Sequence, residues 1–189
     1  MRCFLAVPIP GDVREAVLDL VLRLRPRLRH ARFVSPEALH LTLHFFEDLD
    51  DVQVAGVREA AREGCEAVPA FAAALSGLGV FPDPRRPRVL WIGATLGADG
   101  LHALHAAVAR GLRDRSLPVE DRPFKAHLTL ARFREPEPGV AEALSLSGTV
   151  SPPAFEVREA VLFRSVLAPT GAVHTVLDRF PLARVALPI

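Results

Sequence analysis

The sequence contains no tyrosine and no asparagine, and only one lysine, one tryptophan, one methionine and two cysteines in 189 residues. So little cysteine excludes a disulfide-stapled scaffold. Cys3 and Cys65 stand too far apart to form a metal motif, and a single bridge between them is the most they could make. No apolar run reaches membrane-spanning length, and the opening stretch MRCFLAVPIP is interrupted by Pro8, Pro10 and Gly11 before a signal-peptide core can form. A soluble, cytoplasmic protein with reduced thiols is the expectation. An excess of one charge is also missing. The net charge of +1 rules out the global basic field of a chromatin-type binder. Within that balance the cations are 22 arginines against Lys125 alone. GC-rich codon usage accounts for such a bias. The planar guanidinium also suits phosphate recognition, and composition does not separate the two explanations.

What the chain does have is apolar material, with half its residues hydrophobic and a mean hydropathy of +0.23, enough for one packed domain. It also has a repeated tetrapeptide. His40-Leu41-Thr42-Leu43 returns 87 residues later as His127-Leu128-Thr129-Leu130, in a chain with seven histidines and six threonines. The flanking patterns repeat too. Arg2 to Ile9 reads as a buried strand and Pro10-Gly11-Asp12 as a turn with Asp12 capping the next helix. Val13, Val17, Leu20, Val21, Leu24 and Leu28 then line one helical stripe that Pro26 should terminate or distort. A short strand, a break at Ser35-Pro36-Glu37 and the first HLTL strand follow. In the second half, Arg88 to Gly93 reads as a strand, Leu101 to Leu112 as a helix, and RPFKAHLTLARF carries the second motif. Later apolar strands are AFAAALSGLGVF in the first half and AFEVREAVLFRSVL in the second. The period is too long for a solenoid. It suggests an internal duplication, with halves of about 1–87 and 88–189 and a shared site on a pseudo-twofold axis. The Pro-rich stretches Phe81 to Pro87 and Glu135 to Gly139 read as surface loops.

On a strand, alternate side chains share a face. Each motif therefore buries its leucines and presents an imidazole and a hydroxyl together. Two such strands facing one cleft supply what phosphodiester chemistry needs: a base for the attacking oxygen, an acid for the leaving oxygen, and hydroxyl donors for the nonbridging oxygens. No metal or other cofactor is required. A single His-x-Thr strand would be an ordinary structural fragment, since threonine favours strands; its duplication in matching context is what points to function. His40 and His44 also form an H-x-x-x-H pattern. On a helix that could bind zinc, but here it alternates as a strand and lacks a third ligand.

The paired motifs, with SPEALHLTLHFFEDL, GLGVFPDPRRPRVLWIG, RPFKAHLTLARF and VLFRSVLAPTGAVHTVLDRFPL, resemble the 2H phosphoesterase superfamily. Within it they are most similar to the bacterial and archaeal RNA 2′,3′-cyclic phosphodiesterases, historically called 2′-5′ RNA ligases. The resemblance covers nearly the whole chain. It implies an α+β fold of two pseudo-symmetric lobes, each a small antiparallel sheet backed by helices, with the active site in the cleft between them. It implies a catalytic tetrad of His40, Thr42, His127 and Thr129 that hydrolyses a 2′,3′-cyclic phosphate RNA end to a 2′-phosphomonoester, with weak reversal to a 2′-5′ linkage. His127 is favoured as base and His40 as acid. The implied partners are RNAs with 2′,3′-cyclic phosphate ends, tRNA fragments or other oligoribonucleotides, with no membrane, and the expected state is a monomer. A 2H enzyme acting on a small cyclic phosphate and a non-catalytic RNA-end binder are the alternatives, though the second should have lost a motif residue.

Ala126 stands where the family usually has proline, Glu47 where glycine is usual, and His174 where tyrosine is common. Around the tetrad, four candidate substrate contacts are His44 and Phe46, which strict alternation places on the His40 face, Lys125, the one lysine, and Arg132. The same alternation puts Arg132 on the leucine face, so it reaches phosphate only through a bulge or at a strand end. Phe124 and Phe133 flank the second motif and could stack on a base, although core packing suits them better. His102 and His105 read as surface or rim residues of the second helix. The run Arg23, Arg25, Arg27, Arg29 and Arg32 reads as a solvated face.

Overall fold

The structure is a computed structural model that describes residues 1–168 and 171–184. Pro169 and Thr170, within the expected closing strands, and residues 185–189 lie outside the described residues. Nine strands form one antiparallel sheet: β1 (Cys3–Pro8), β2 (Ala31–Phe33), β3 (His40–Phe46), β4 (Phe71–Phe81), β5 (Val89–Leu96), β6 (His127–Phe133), β7 (Phe155–Val157), β8 (Glu159–Ala168) and β9 (Gly171–Pro181). The helices are α1 (Gly11–Leu24), α2 (Asp51–Glu66), α3 (Ala98–Asp114) and the short α4 (Val140–Leu144). This is the expected α+β class.

The strand order is β7-β4-β5-β6-β3-β1-β8-β9, with β2 added on β6. One lobe centres on β1, flanked by β3 and β8, and the other on β5, flanked by β6 and β4. One long strand of each half thus crosses over: β4 comes from the first half and pairs with β5 of the second, while β8 of the second returns to β1. Each lobe is therefore built from both halves of the chain. The lobes meet where β3 pairs with β6 through Leu41 opposite Leu128. That single junction joins the two HLTL strands.

The buried stripe of α1 is Val13, Val17, Leu20, Val21 and Leu24, as the spacing predicts. Its ends differ from expectation. The helix starts after Pro10 with no side-chain cap, and the Asp12 carboxylate accepts instead from the Val13 N–H at 2.9 Å. It stops at Leu24, two residues before Pro26, although Leu28 remains buried beyond it. Asp50 and Gln53 form a reciprocal capping box that starts α2. α2 then packs closely on α3 at Gly64, where a Cβ would lie 2.6 Å from Val108 Cγ2. The apolar stretch AFEVREAVLFRSVL is two strands rather than one. It breaks at Arg158, with β7 pairing β4 and β8 pairing β1 and β9. The loop from Glu135 to Gly139 is not simply a surface loop. Glu137 is only 5% exposed, and its carboxylate accepts from the His30 N–H at 2.7 Å. Cys3 and Cys65 are both buried and free.

Candidate active site

The two motif strands have the same burial pattern. Leu41 and Leu43, like Leu128 and Leu130, enter the core, while His40, Thr42, His127 and Thr129 face out of it. With Leu41 opposite Leu128 in antiparallel register, the next residues along place His40 beside Thr129 and Thr42 beside His127. Each histidine is therefore neighbour to the threonine of the other copy, and the two histidines sit on a diagonal.

Both strands then break alternation at the same place. The register of β3 against β1 slips so that Ala6 faces Thr42 and Leu5 faces His44, leaving Leu43 as an extra residue. In β6 the slip leaves Leu130 extra, between Trp91 opposite Thr129 and Leu90 opposite Ala131. A bulge re-aims every side chain after it. His44 consequently turns away from His40 and is 3% exposed. Its Nε2 lies 3.0 Å from the carbonyl of His105, and its ring stacks on His105 at 4.3 Å. Phe46 turns into the core at 2% exposure. Neither belongs to the cleft, which corrects the expectation from strict alternation and also removes any metal site shared by His40 and His44. The same geometry brings Phe45 and Arg132 onto the tetrad face.

The cleft has a volume of about 1200 Å³ and is lined by His40, Thr42, Thr129 and Arg132. Its other cations are Arg2, Arg25, Arg32, Arg88 and Arg134, and among the described residues no carboxylate lines it. Arg32 pairs directly across the β2–β6 ladder with Arg132. Like charges placed so repel, and such a cleft favours an anion. The arginine run on α1 and after it divides. Arg25 stacks over Phe33 at 4.9 Å and lines the cleft with Arg32, whereas Arg27 pairs with Glu142 at 3.0 Å. Phe133 lines the cleft wall but is largely core. Phe124 stacks on His105 at 4.3 Å, away from the cleft. His102 is exposed as expected, with Nδ1 2.7 Å from the Ala98 carbonyl and Nε2 3.2 Å from that of Phe124.

The two motif histidines have different surroundings. The His40 ring stacks on Phe4 at 4.6 Å, and His174 stands edge-on to it at 5.7 Å. Burial, then the neighbouring His174 and Arg132, lower its pKa to about 4. His127 is edge-on to Phe81 at 5.0 Å, and its Nδ1 donates to the Lys125 carbonyl at 2.6 Å. A carbonyl partner requires the proton on Nδ1, so the neutral ring keeps the Nε2 lone pair free. Burial is the largest influence on His127 and lowers its pKa; the Lys125 carbonyl opposes this, while Lys125 and Arg132 add to it. The Lys125 ammonium does not line the large cleft. It lies 4.2 Å over the Trp91 ring, in a smaller groove on the other side of His127.

Arg2, Phe4, Phe45, Arg88 and Arg134 line the cleft without having been singled out from sequence, and so does His174, noted there only as standing where tyrosine is common. His174 reaches it because β9 pairs with β8, bringing His174 opposite Ser165 and next to His40. Its Nδ1 is buried with no partner among the described residues. One signal for the bulge was present: Leu130 and Ala131 are adjacent apolar residues where alternation would demand a polar one.

The profile of the 2′-5′ RNA ligase superfamily matches residues 12–167. An RNA 2′,3′-cyclic phosphodiesterase from Thermus thermophilus is 37% identical over 193 residues, covering 96% of this chain and 90% of that one. One from Archaeoglobus fulgidus is 32% identical over 180 residues, covering 95% and 99%. Among solved structures, a Thermus thermophilus protein superposes with a TM-score of 0.83 at 31% identity, covering 97% of this chain and 99% of that one. Escherichia coli LigT complexed with 3′-AMP shares the fold, with a TM-score of 0.76 at 24% identity over 97% and 98% of the two chains.

Proposed function

The chain belongs to the 2′-5′ RNA ligase superfamily, and from that membership we propose that it is an RNA 2′,3′-cyclic phosphodiesterase working by acid–base catalysis between the two HLTL motifs. The observation that carries this reading is the diagonal tetrad, of which His40, Thr42 and Thr129 line an arginine-rich cleft with no carboxylate among its described residues and His127 stands at its edge on β6. Water attacks the phosphorus of the cyclic ester and His127 Nε2 takes its proton. The hydrogen bond from Nδ1 to the Lys125 carbonyl fixes the tautomer this requires and supports the imidazolium that forms. The bond from phosphorus to O3′ breaks, His40 gives its proton to O3′, and a 2′-phosphomonoester remains. The Thr42 and Thr129 hydroxyls donate to the nonbridging oxygens, where charge accumulates. Arg132, re-aimed by the bulge, adds its charge on the same face. None of these steps calls for a metal.

Exchanging water for a ribose 5′-hydroxyl in the same sequence of steps gives a 2′-5′ linkage, so weak ligation accompanies hydrolysis in this reading. The substrates are oligoribonucleotides with cyclic phosphate ends, tRNA fragments among them, handled by a monomer. Two buried free thiols fit a reducing cytoplasm, and no helix among the described residues is long and apolar enough to cross a membrane. The test is incubation of the protein, with EDTA present, with an oligoribonucleotide bearing a 2′,3′-cyclic phosphate, followed by mapping of the product phosphate. A 2′-phosphate is expected. A 3′-phosphate would refute the assigned leaving group, and an intact ring would refute the activity.

A further inference from the structure

A cyclic phosphate terminates its RNA, so hydrolysis alone requires binding room on only one side of the tetrad. This site has room on both. Along β6, Thr129 and Arg132 line the large cleft, whereas Lys125 and Ala126 line a separate groove of about 360 Å³, and no residue lines both. His127 stands between them on the strand.

The groove continues the tetrad face across the sheet. Gly93 of β5 is opposite His127, and Ser76 of β4 is opposite Gly93, with Gly77 as the extra residue of a bulge at φ 76°. The strip beside His127 therefore carries few side chains of its own: a Cβ on Gly77 would meet nothing within 4 Å, while one on Gly93 would lie 3.3 Å from Trp91 Cζ3. Glycine in a strand interior marks a place where another group can approach the backbone closely. Trp91 walls the strip. It is seated on Gly79, where a Cβ would lie 2.2 Å from Trp91 Cζ2, and is held from above by the Lys125 ammonium. Lys125 thus brings a cation to the rim of a flat and mostly apolar groove. That combination suits a nucleoside whose ring lies on the strip and whose 3′ phosphate meets Lys125.

We infer that this glycine strip is the binding site of the second nucleoside, the one whose 5′-hydroxyl replaces water as the nucleophile. The inference rests on the cyclic phosphodiesterase reading and on His127 as the base. The alcohol oxygen bonds to phosphorus as His127 takes its proton. The bond to O3′ breaks, and His40 supplies the proton to O3′. A 2′-5′ phosphodiester is formed, with nothing else consumed.

The experiment supplies a cyclic-ended oligoribonucleotide with a second, 5′-hydroxyl oligoribonucleotide, and measures the ratio of 2′-5′ ligated to hydrolysed product as the second is titrated. The rate of ligation should rise and then saturate as hydrolysis falls, and glycerol as the alcohol should give a ligation rate that only rises linearly. In Ser76→Phe, which fills the strip, and in Lys125→Ala, the ratio should fall by about tenfold, the scale of one lost nucleobase contact. Both products pass through the same histidines, so a general loss of activity leaves the ratio unmoved. No ligated product, a ligation rate that never saturates, or a wild-type ratio in both variants would overturn the inference while ring opening by water stands. Failure of ring opening itself would remove the reading beneath it.

Discussion

His40 and His127 are each followed by Leu-Thr-Leu but have different neighbours in space, and in the proposed mechanism this difference divides their labour. His40 stacks on Phe4, and its burial, then the neighbouring His174 and Arg132, hold it neutral in the free protein, with a pKa of about 4. An acid must be protonated, so the anionic substrate has to restore that proton by placing negative charge beside the ring. The alkaline limb of the kcat profile should therefore lie at higher pH than that of kcat/KM, because kcat reports the complex and kcat/KM the free enzyme. Coincident limbs would contradict the acid role of His40. In the proposed mechanism the threonines act on the transition state. Thr129→Val should lower kcat by about 10²-fold with little change in KM, the usual cost of one lost oxyanion donor, measurable by steady-state kinetics on a cyclic-ended substrate.

At the scale of the element, the two bulges decide which side chains face the cleft. The strand, its buried leucines and its His-Thr face could be read from alternation, as could α1, α3 and the paired motifs. The fate of the residues after Leu43 and Leu130 could not, because one extra residue reverses every later position without a distinctive composition. That is why Arg132 arrives at the cleft while His44 and Phe46 leave it. The place of His174 beside His40 was not legible for another reason: it depends on β9 pairing with β8, far from the motifs in sequence. The bulge in β3 also has a stability consequence. His44 is buried and held neutral, with its pKa lowered to about 4 chiefly by burial and by His105. Its folded value lies below its unfolded value of 6.5. Its contribution is therefore complete above pH 6.5 and is lost as pH falls toward 4, on the order of 3 kcal/mol over the window. Denaturant titrations across this range should show a shallower pH slope for His44→Gln, by about one proton. An unchanged slope would place the titration elsewhere. Between the helices, Gly64→Val should destabilise by about 1–3 kcal/mol, since its side chain meets Val108 at a packed contact. Chemical denaturation reads this directly.

Across the whole molecule, a nearly neutral chain concentrates six arginines in one cleft without a carboxylate. Association with RNA should then be salt-sensitive despite the net charge of +1. The dependence of log kcat/KM on log salt should be steeper for a cyclic-ended oligoribonucleotide than for a cyclic mononucleotide. Arg32→Ala should reduce the oligonucleotide slope by about one; an unaltered slope would separate Arg32 from the RNA path. The exchange of β4 and β8 between the halves ties the lobes together, so that the motifs meet at one fixed junction, Leu41 against Leu128. Duplication could be inferred from the 87-residue repeat; the crossover could not, because either partner strand offers the same apolar pattern. The central claim is that one histidine from each copy serves a single reaction. Single-turnover ring opening of a cyclic-ended oligoribonucleotide by His40→Ala, His127→Ala and the double variant tests it most directly. Each single change should cost at least about 10²-fold, and the double variant should lose far less than the product of the two. A single variant that keeps the wild-type rate would contradict the shared acid–base pair.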